Sequence, residues 1–293
     1  MRSRFNTLSH FLRRTGVHPG SGPGQVFGGK CLGLFFLAVT VMMPHLACAE
    51  SGATNAASPC RPAAFASGVV ASVIDGRTFV LDDRREVRLA GLEIPTAATA
   101  AAHAKARLQA LADGQAVVLK GLESDRDRYG RLVAHVFLSG GGAERWIEPE
   151  LVAGGHALVA ARAGERACAA ELLRHERAAR AAKLGLWGDP YYGVRRAEDP
   201  TSVAAERGRF AIVEGNVLTV RESGGTIYVN FGRRWSEDFT VTIAKRNERA
   251  FAAAGIGPKT LTGRRVRVRG WIEERGGPWV EATRPEQIEV VER

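Results

Sequence analysis

Between residues 68 and 137, short apolar runs and turn signals alternate in an order that narrows the fold more than any other feature of the chain. After Gly68, the run Val69-Val70-Ala71-Ser72-Val73-Ile74 has the length and β-branched content of a strand. Asp75-Gly76 is a turn pair, and Thr78-Phe79-Val80-Leu81 is the returning strand. Val87-Arg88-Leu89-Ala90 makes a third. Residues 97–112 are rich in alanine, carry Leu108 and Leu111, and have helix propensity. Val117-Val118-Leu119 and Leu132-Val133-Ala134-His135-Val136-Phe137 add two further strands. Three strands, a helix and two strands is the order of a small Greek-key barrel of the OB type. The expected fold class is therefore mainly β with helices. Two helices follow at about 147–154 and 165–183, the second with Cys168, Leu172, Leu173 and Glu176 at helical spacing.

The unit closes at Leu184-Gly185-Leu186-Trp187-Gly188. Residues 189–205, with two prolines and a charge run, read as a linker. The order then repeats: strands at 210–220, 226–231 and 238–243, a helix at 245–254, and strands at 264–274 and 279–291. A second small OB-like β-barrel over 206–293 is expected to fold on its own. No close sequence repeat links the two halves.

The N-terminus reads as an export signal. Arg2, Arg4, Arg13, Arg14 and Lys30 precede the apolar run Leu32–Met43, and Ala47-Cys48-Ala49 is a small-residue cleavage site. Residues 1–49 are read as a signal peptide, 50–67 as a flexible lead-in, and the mature protein as periplasmic or secreted, without a membrane span; an uncleaved anchor is the alternative. Cleavage removes five of the 41 basic residues and none of the 31 acidic ones, leaving 36 against 31, a net charge of +5. That balance tolerates polyanions without proving nucleic-acid binding. Cys60 and Cys168 are the two cysteines that remain. In an oxidising compartment they are expected to form a disulfide, with two buried thiols as the alternative. The histidines at 103, 135, 156 and 175 lack metal-ligand spacing.

Residues 68–188 resemble the thermonuclease (staphylococcal nuclease-like) family. The resemblance rests on Val73-Ile74-Asp75-Gly76-Arg77-Thr78-Phe79-Val80-Leu81, Val87-Arg88-Leu89-Ala90-Gly91-Leu92-Glu93-Ile94-Pro95, Asp127-Arg128-Tyr129-Gly130-Arg131-Leu132 and Gly185-Leu186-Trp187-Gly188. It implies calcium-dependent phosphodiester hydrolysis: carboxylates hold the ion, a glutamate acts on water, and two arginines grip the phosphate. By that resemblance Arg88 and Arg131 are retained phosphate-binding positions. Arg128 and Tyr129 are candidates for nucleic-acid contact. Glu93 stands at a metal-ligand position usually held by Asp. Arg77 replaces the other carboxylate, and Thr96 replaces the general base.

At 4 Å and an effective dielectric of about 20, each unit of charge is worth roughly 4 kcal/mol. Turning a ligand carboxylate into a guanidinium therefore argues against Ca²⁺, with Asp82 or Asp83 as conceivable rescuers. Arg77 is instead expected to stand in for the metal's charge and bind phosphate beside Arg88 and Arg131; pairing of Arg77 with Glu93, closing the pocket, is the rival arrangement. Three functional readings stay open: a nucleic-acid- or polyanion-binding nuclease homologue with impaired hydrolysis, a working phosphodiesterase with a rearranged site, and a protein-interaction module.

Residues 206–293 resemble a C-terminal domain that accompanies some bacterial thermonuclease-like proteins. Arg265, Arg267 and Arg269 alternate with valine on one strand face. An exposed face kept soluble by charge is expected there, with phosphate binding as the alternative. Trp235 and Trp271 are candidates for base stacking or for core packing.

Overall fold

The computed structural model describes residues 60–122, 124–160, 162, 165–234 and 236–291. The expected signal peptide, residues 50–59 of the lead-in, and Trp235 lie outside the described residues. Those from Cys60 onward belong to one compact unit, Asn55–Arg293.

Its first half runs β1 (Ala64–Asp75), β2 (Thr78–Leu81), β3 (Glu86–Leu89), the short β4 (Leu92–Glu93), α1 (Ala98–Ala112), β5 (Ala116–Lys120), β6 (Leu132–Leu138), β7 (Arg145–Trp146), α2 (Glu148–Ala153), β8 (Leu158–Val159) and α3 (Arg166–Ala181). β1 pairs antiparallel with β2, β2 with β3, β3 runs parallel to β6, and β6 returns through β5 to β1. The five-stranded ladder thus closes on itself. Closure depends on the length of β1, whose first half pairs with β5 and whose second half pairs with β2 across register shifts. Such irregularities bend a strand enough for it to serve two neighbours.

The alternating apolar residues of the sequence point inward, and Phe79, Val87, Leu119 and Val136 are fully buried. Gly76 owes its place to packing rather than to a left-handed turn. A Cβ there would lie 2.6 Å from Cβ of Ala104 on α1. The expected Cys60–Cys168 disulfide is present and ties the segment before β1 to α3 across 108 residues.

The second half contains β9 (Arg195–Arg196), α4 (Pro200–Ala204), β10 (Phe210–Asn216), β11 (Thr219–Ser223), β12 (Thr226–Asn230), β13 (Thr240–Ala244), α5 (Glu248–Ala253), β14 (Arg265–Trp271), β15 (Glu273–Arg275), β16 (Gly277–Glu281) and β17 (Ile288–Val290). The strands fall into a four-stranded and a five-stranded sheet. The split has a local cause. β10 and β11 are one chain path bent at Val217-Leu218, and β14 and β15 are one path bent at Ile272. Val217 and Ile272 are buried at those bends.

With each bent path counted as one strand, the pairings repeat those of the first barrel. The first path pairs with the second through β11–β12, the second with the third through β12–β13, and the third runs parallel to the fifth through β13–β16. The fifth pairs with the fourth through β16–β15, and the fourth with the first through β14–β10. Both halves are therefore OB-type barrels with a helix between the third and fourth strands. Residues 189–205 are packed against this second unit. β9 runs parallel to β10, and Ala197 and Val203 enter its core.

The barrels share buried surface. Leu158, Ala179, Leu186, Trp187 and Ile212 form one apolar cluster drawn from both. Beside it Arg269 is fully buried, 2.7 Å from Glu176 of α3 and 2.5 Å from Glu289 of β17. Its Nη1 also donates to the Val159 carbonyl at 3.1 Å. Burial pulls the Arg269 guanidinium down, but the two carboxylates outweigh it and the net shift is upward. This corrects the expected exposed arginine face. Arg265 and Arg267 do share a face, but both pair with Glu214 on the neighbouring strand, at 2.7 and 2.5 Å. Arg269 lies under α3.

Candidate functional site

The turn from β1 into β2 positions Arg77. Asp75 accepts the Arg77 amide at 2.8 Å, an Asx-type turn that ends β1. The Arg77 guanidinium then reaches β4, donating to the Leu92 carbonyl at 2.9 Å and pairing with Glu93. β4 is held by its antiparallel pairing with β8, where Glu93 lies opposite Leu158. The other Glu93 oxygen is 3.5 Å from Arg88 of β3, and Arg88 is also 3.7 Å from Asp127. Asp127 in turn holds Arg131 through Nε and Nη2, both at 2.7 Å.

The five side chains form one alternating row, Arg131–Asp127–Arg88–Glu93–Arg77, with three cations and two anions. Asp127 opens a tight turn closed by Gly130, whose φ of +79° favours glycine. Burial raises the Asp127 carboxyl, but the Arg131 hydrogen bond and two backbone amides prevail and hold it below its ordinary value. Arg88 is pulled the other way. Burial and the Arg77 guanidinium lower it, Glu93 opposes them, and Arg131 lowers it further. Arg88 is thus a half-buried cation whose desolvation and cationic neighbours outweigh its two carboxylates.

Arg88, Glu93 and Asp127 line one wall of a cleft of about 470 Å³, and Phe210, Trp271 and Arg284 of the second barrel line the other. Arg77 and Arg131 do not line it. Trp271, a candidate either for stacking or for the core, is half exposed in this cleft. Tyr129 is 66% exposed and stacks with its arginine neighbours: Arg128 lies 4.8 Å and Arg131 5.1 Å from its ring centre. Its hydroxyl accepts from Arg128 at 2.6 Å.

Of the residues singled out in the sequence, Arg77, Arg88, Glu93 and Arg131 come together, with Arg128 and Tyr129 at the rim. Thr96 is exposed just before α1, with no hydrogen bond among the described residues. Asp82 and Asp83 are engaged elsewhere: Asp82 accepts from the Val69 amide at 3.3 Å, and Asp83 pairs with Arg85 at 2.6 Å.

Asp127 is the site residue that sequence reasoning missed. It appears there only as part of a turn motif, and its four-residue spacing to Arg131 was the available signal. A second unforeseen group is Cys60, His135 and Cys168, whose ligand-type atoms lie within 4.8 Å of one another in the core. The disulfide occupies both sulfurs.

A hard dication needs free oxygen ligands; both oxygens of Glu93 face guanidiniums, and a third guanidinium, Arg131, lies against Asp127.

Among the described residues, no helix is long and apolar enough to cross a membrane. No curated protein matches the chain. Residues 86–189 match the family model described as staphylococcal nuclease homologue. The matched stretch runs from β3 to the end of the closing turn and includes Arg88, Glu93, Asp127 and Arg131. The chain therefore carries a staphylococcal nuclease homologue domain, a thermonuclease-like module built on an OB-type barrel.

Proposed function

We propose that this thermonuclease-like protein is exported and uses its first barrel to grip the phosphates of nucleic acid or a similar polyanion, with phosphodiester hydrolysis impaired. One observation carries the reading: Glu93, the carboxylate left at a metal-ligand position, has its two oxygens facing Arg77 and Arg88. The row keeps one positive charge in excess, and Arg88, at its centre, faces the cleft. A phosphate there would accept charge-assisted hydrogen bonds from Arg88. Arg77 would act through Glu93, drawing one oxygen of that carboxylate to itself and leaving only the other for Arg88.

Hydrolysis would need more. A water must be deprotonated as it attacks, and Thr96, an exposed hydroxyl where the resemblance places the base, does not supply a carboxylate. Binding that is equal in the ground and transition states does not raise turnover. Export is supported by the basic leader with its small-residue cleavage site and by the disulfide, a bond characteristic of oxidising compartments.

The test restores what is missing. The triple variant Arg77→Asp, Glu93→Asp, Thr96→Glu is expected to bind calcium by titration calorimetry and to gain about 10²-fold or more in cleavage, the scale of general-base catalysis. Failure of the restored variant to bind calcium, despite an unchanged melt, would count against the reading of these positions.

A further inference from the structure

The second barrel carries a larger and differently charged groove. It measures about 880 Å³ and lies on the outer face of β11, β12, β13 and β16. The strand register builds it in two rows. Arg221, Tyr228, Thr242 and Glu281 are successive cross-strand partners, and so are Thr219, Asn230, Thr240 and Trp279. Residues between these positions, such as Ile227, Val241 and Val280, point into the barrel core. The groove is therefore a polar outer face and not an opening into the core.

Three arginines, Arg221, Arg233 and Arg275, and a single carboxylate, Glu281, line it. Their state differs from that of the first barrel's arginines. There Arg77, Arg88 and Arg131 each face a carboxylate. Here Arg221 and Arg233 are exposed and make no ion pair among the described residues. Arg275 lies 3.6 Å over the Trp279 ring and lines the groove, its one ion pair among the described residues being a 4.0 Å contact with Glu273. Tyr228 is 37% exposed in the middle of the first row.

Free cations at the edges, an exposed aromatic ring in the floor, and Thr and Asn donors and acceptors beside it match the three parts of a nucleotide strand: phosphate, base face and base edge. The face is also topologically informative. It lies on the second and third strands of an OB-type barrel, the surface on which such barrels generally hold oligonucleotides. In the first barrel the equivalent strands are β2 and β3, and Arg88 sits on β3. We propose that this groove is a second, independent binding site for single-stranded nucleic acid, in which Arg221, Arg233 and Arg275 meet phosphates and Tyr228 stacks on a base. It does not depend on the first barrel's site.

The test measures fluorescence anisotropy of a labelled oligothymidylate with the full chain in chelator. The Arg88→Ala/Arg131→Ala variant serves as the background, so that only the groove is read. Binding is expected to persist there, with a log-affinity against log-salt slope of about −2 for three phosphate contacts on a single strand. Adding Arg221→Ala and Arg233→Ala should reduce that slope in magnitude by about 1.4. Tyr228→Ala should weaken binding about tenfold or more while Tyr228→Phe restores it, as stacking requires. Loss of all binding in the background variant with an unchanged melting temperature would overturn the proposal. So would groove substitutions that leave affinity and slope unchanged. Indifference to Tyr228→Ala, with equal competition by a sulfated polysaccharide, would show a plain polyanion surface and overturn it too. If instead Arg88→Ala/Arg131→Ala leaves affinity at its native value while the groove variants remove it, the first barrel's proposed role fails and the groove stands.

Discussion

Arg77 and Glu93 show how a single reversal of charge reorganises a site. With a carboxylate at position 77, Glu93 would be free to face a cation; with arginine there, both Glu93 oxygens turn to guanidiniums. Arg77→Ala releases Glu93 toward Arg88, so oligonucleotide affinity of the first barrel should fall about tenfold, the worth of one charge-assisted contact of roughly 1.5–3 kcal/mol or slightly less. Glu93→Gln should do the reverse and tighten binding, because it frees Arg88. Anisotropy titrations of the two variants check both signs, and equal effects in one direction would refute the arrangement. Gly76 makes a separate prediction. A methyl group there meets Ala104 at 2.6 Å, so Gly76→Ala should destabilise by about 1–3 kcal/mol, read from denaturant midpoints.

At the scale of elements, the buried pairing of β14 and β17 with α3 makes stability depend on pH. Burial raises the Glu289 carboxyl, but Arg269, with Arg180 and Arg267, outweighs it and the folded value is lowered. A lowered folded value contributes stability above the ordinary carboxylate range, lost as pH falls through that folded value. Glu289→Gln should therefore flatten the loss of stability below about pH 4 while lowering stability at neutral pH. Urea midpoints across that range measure it.

Much of this level was readable in the sequence. Period-two alternation located the strands, since each has one face on a core. The bends at Val217-Leu218 and Ile272 were not read from the alternation, which runs straight through them, although Gly215 and Gly270 stand two residues before each. The alternation of Arg265, Arg267 and Arg269 gave the shared face but not its burial. Glu176, which decides that, is 93 residues away in sequence.

For the whole molecule, two barrels of one topology are joined through a buried ion cluster and a small apolar patch. Removing Arg269 leaves Glu176 buried without its main partner. Arg269→Ala should cost about 3–5 kcal/mol and uncouple the barrels in thermal melts. For the same reason a fragment cut at residue 206 should melt less cooperatively than one beginning near residue 190, which keeps β9 and the core residues Ala197 and Val203. Reducing Cys60–Cys168 should lower stability by about 4–5 kcal/mol, as expected for a loop of 108 residues.

The site was legible to the extent that residue types survive in order, which placed Arg77, Arg88, Glu93 and Arg131 together. How they pair was not, because one guanidinium can choose between a bound anion and a neighbouring carboxylate only in three dimensions. The most direct measurement is cleavage of single-stranded DNA by the native protein, followed with calcium and with chelator. Bound but intact DNA in both conditions is the result this account expects. Calcium-dependent cleavage abolished by Arg88→Ala would contradict it.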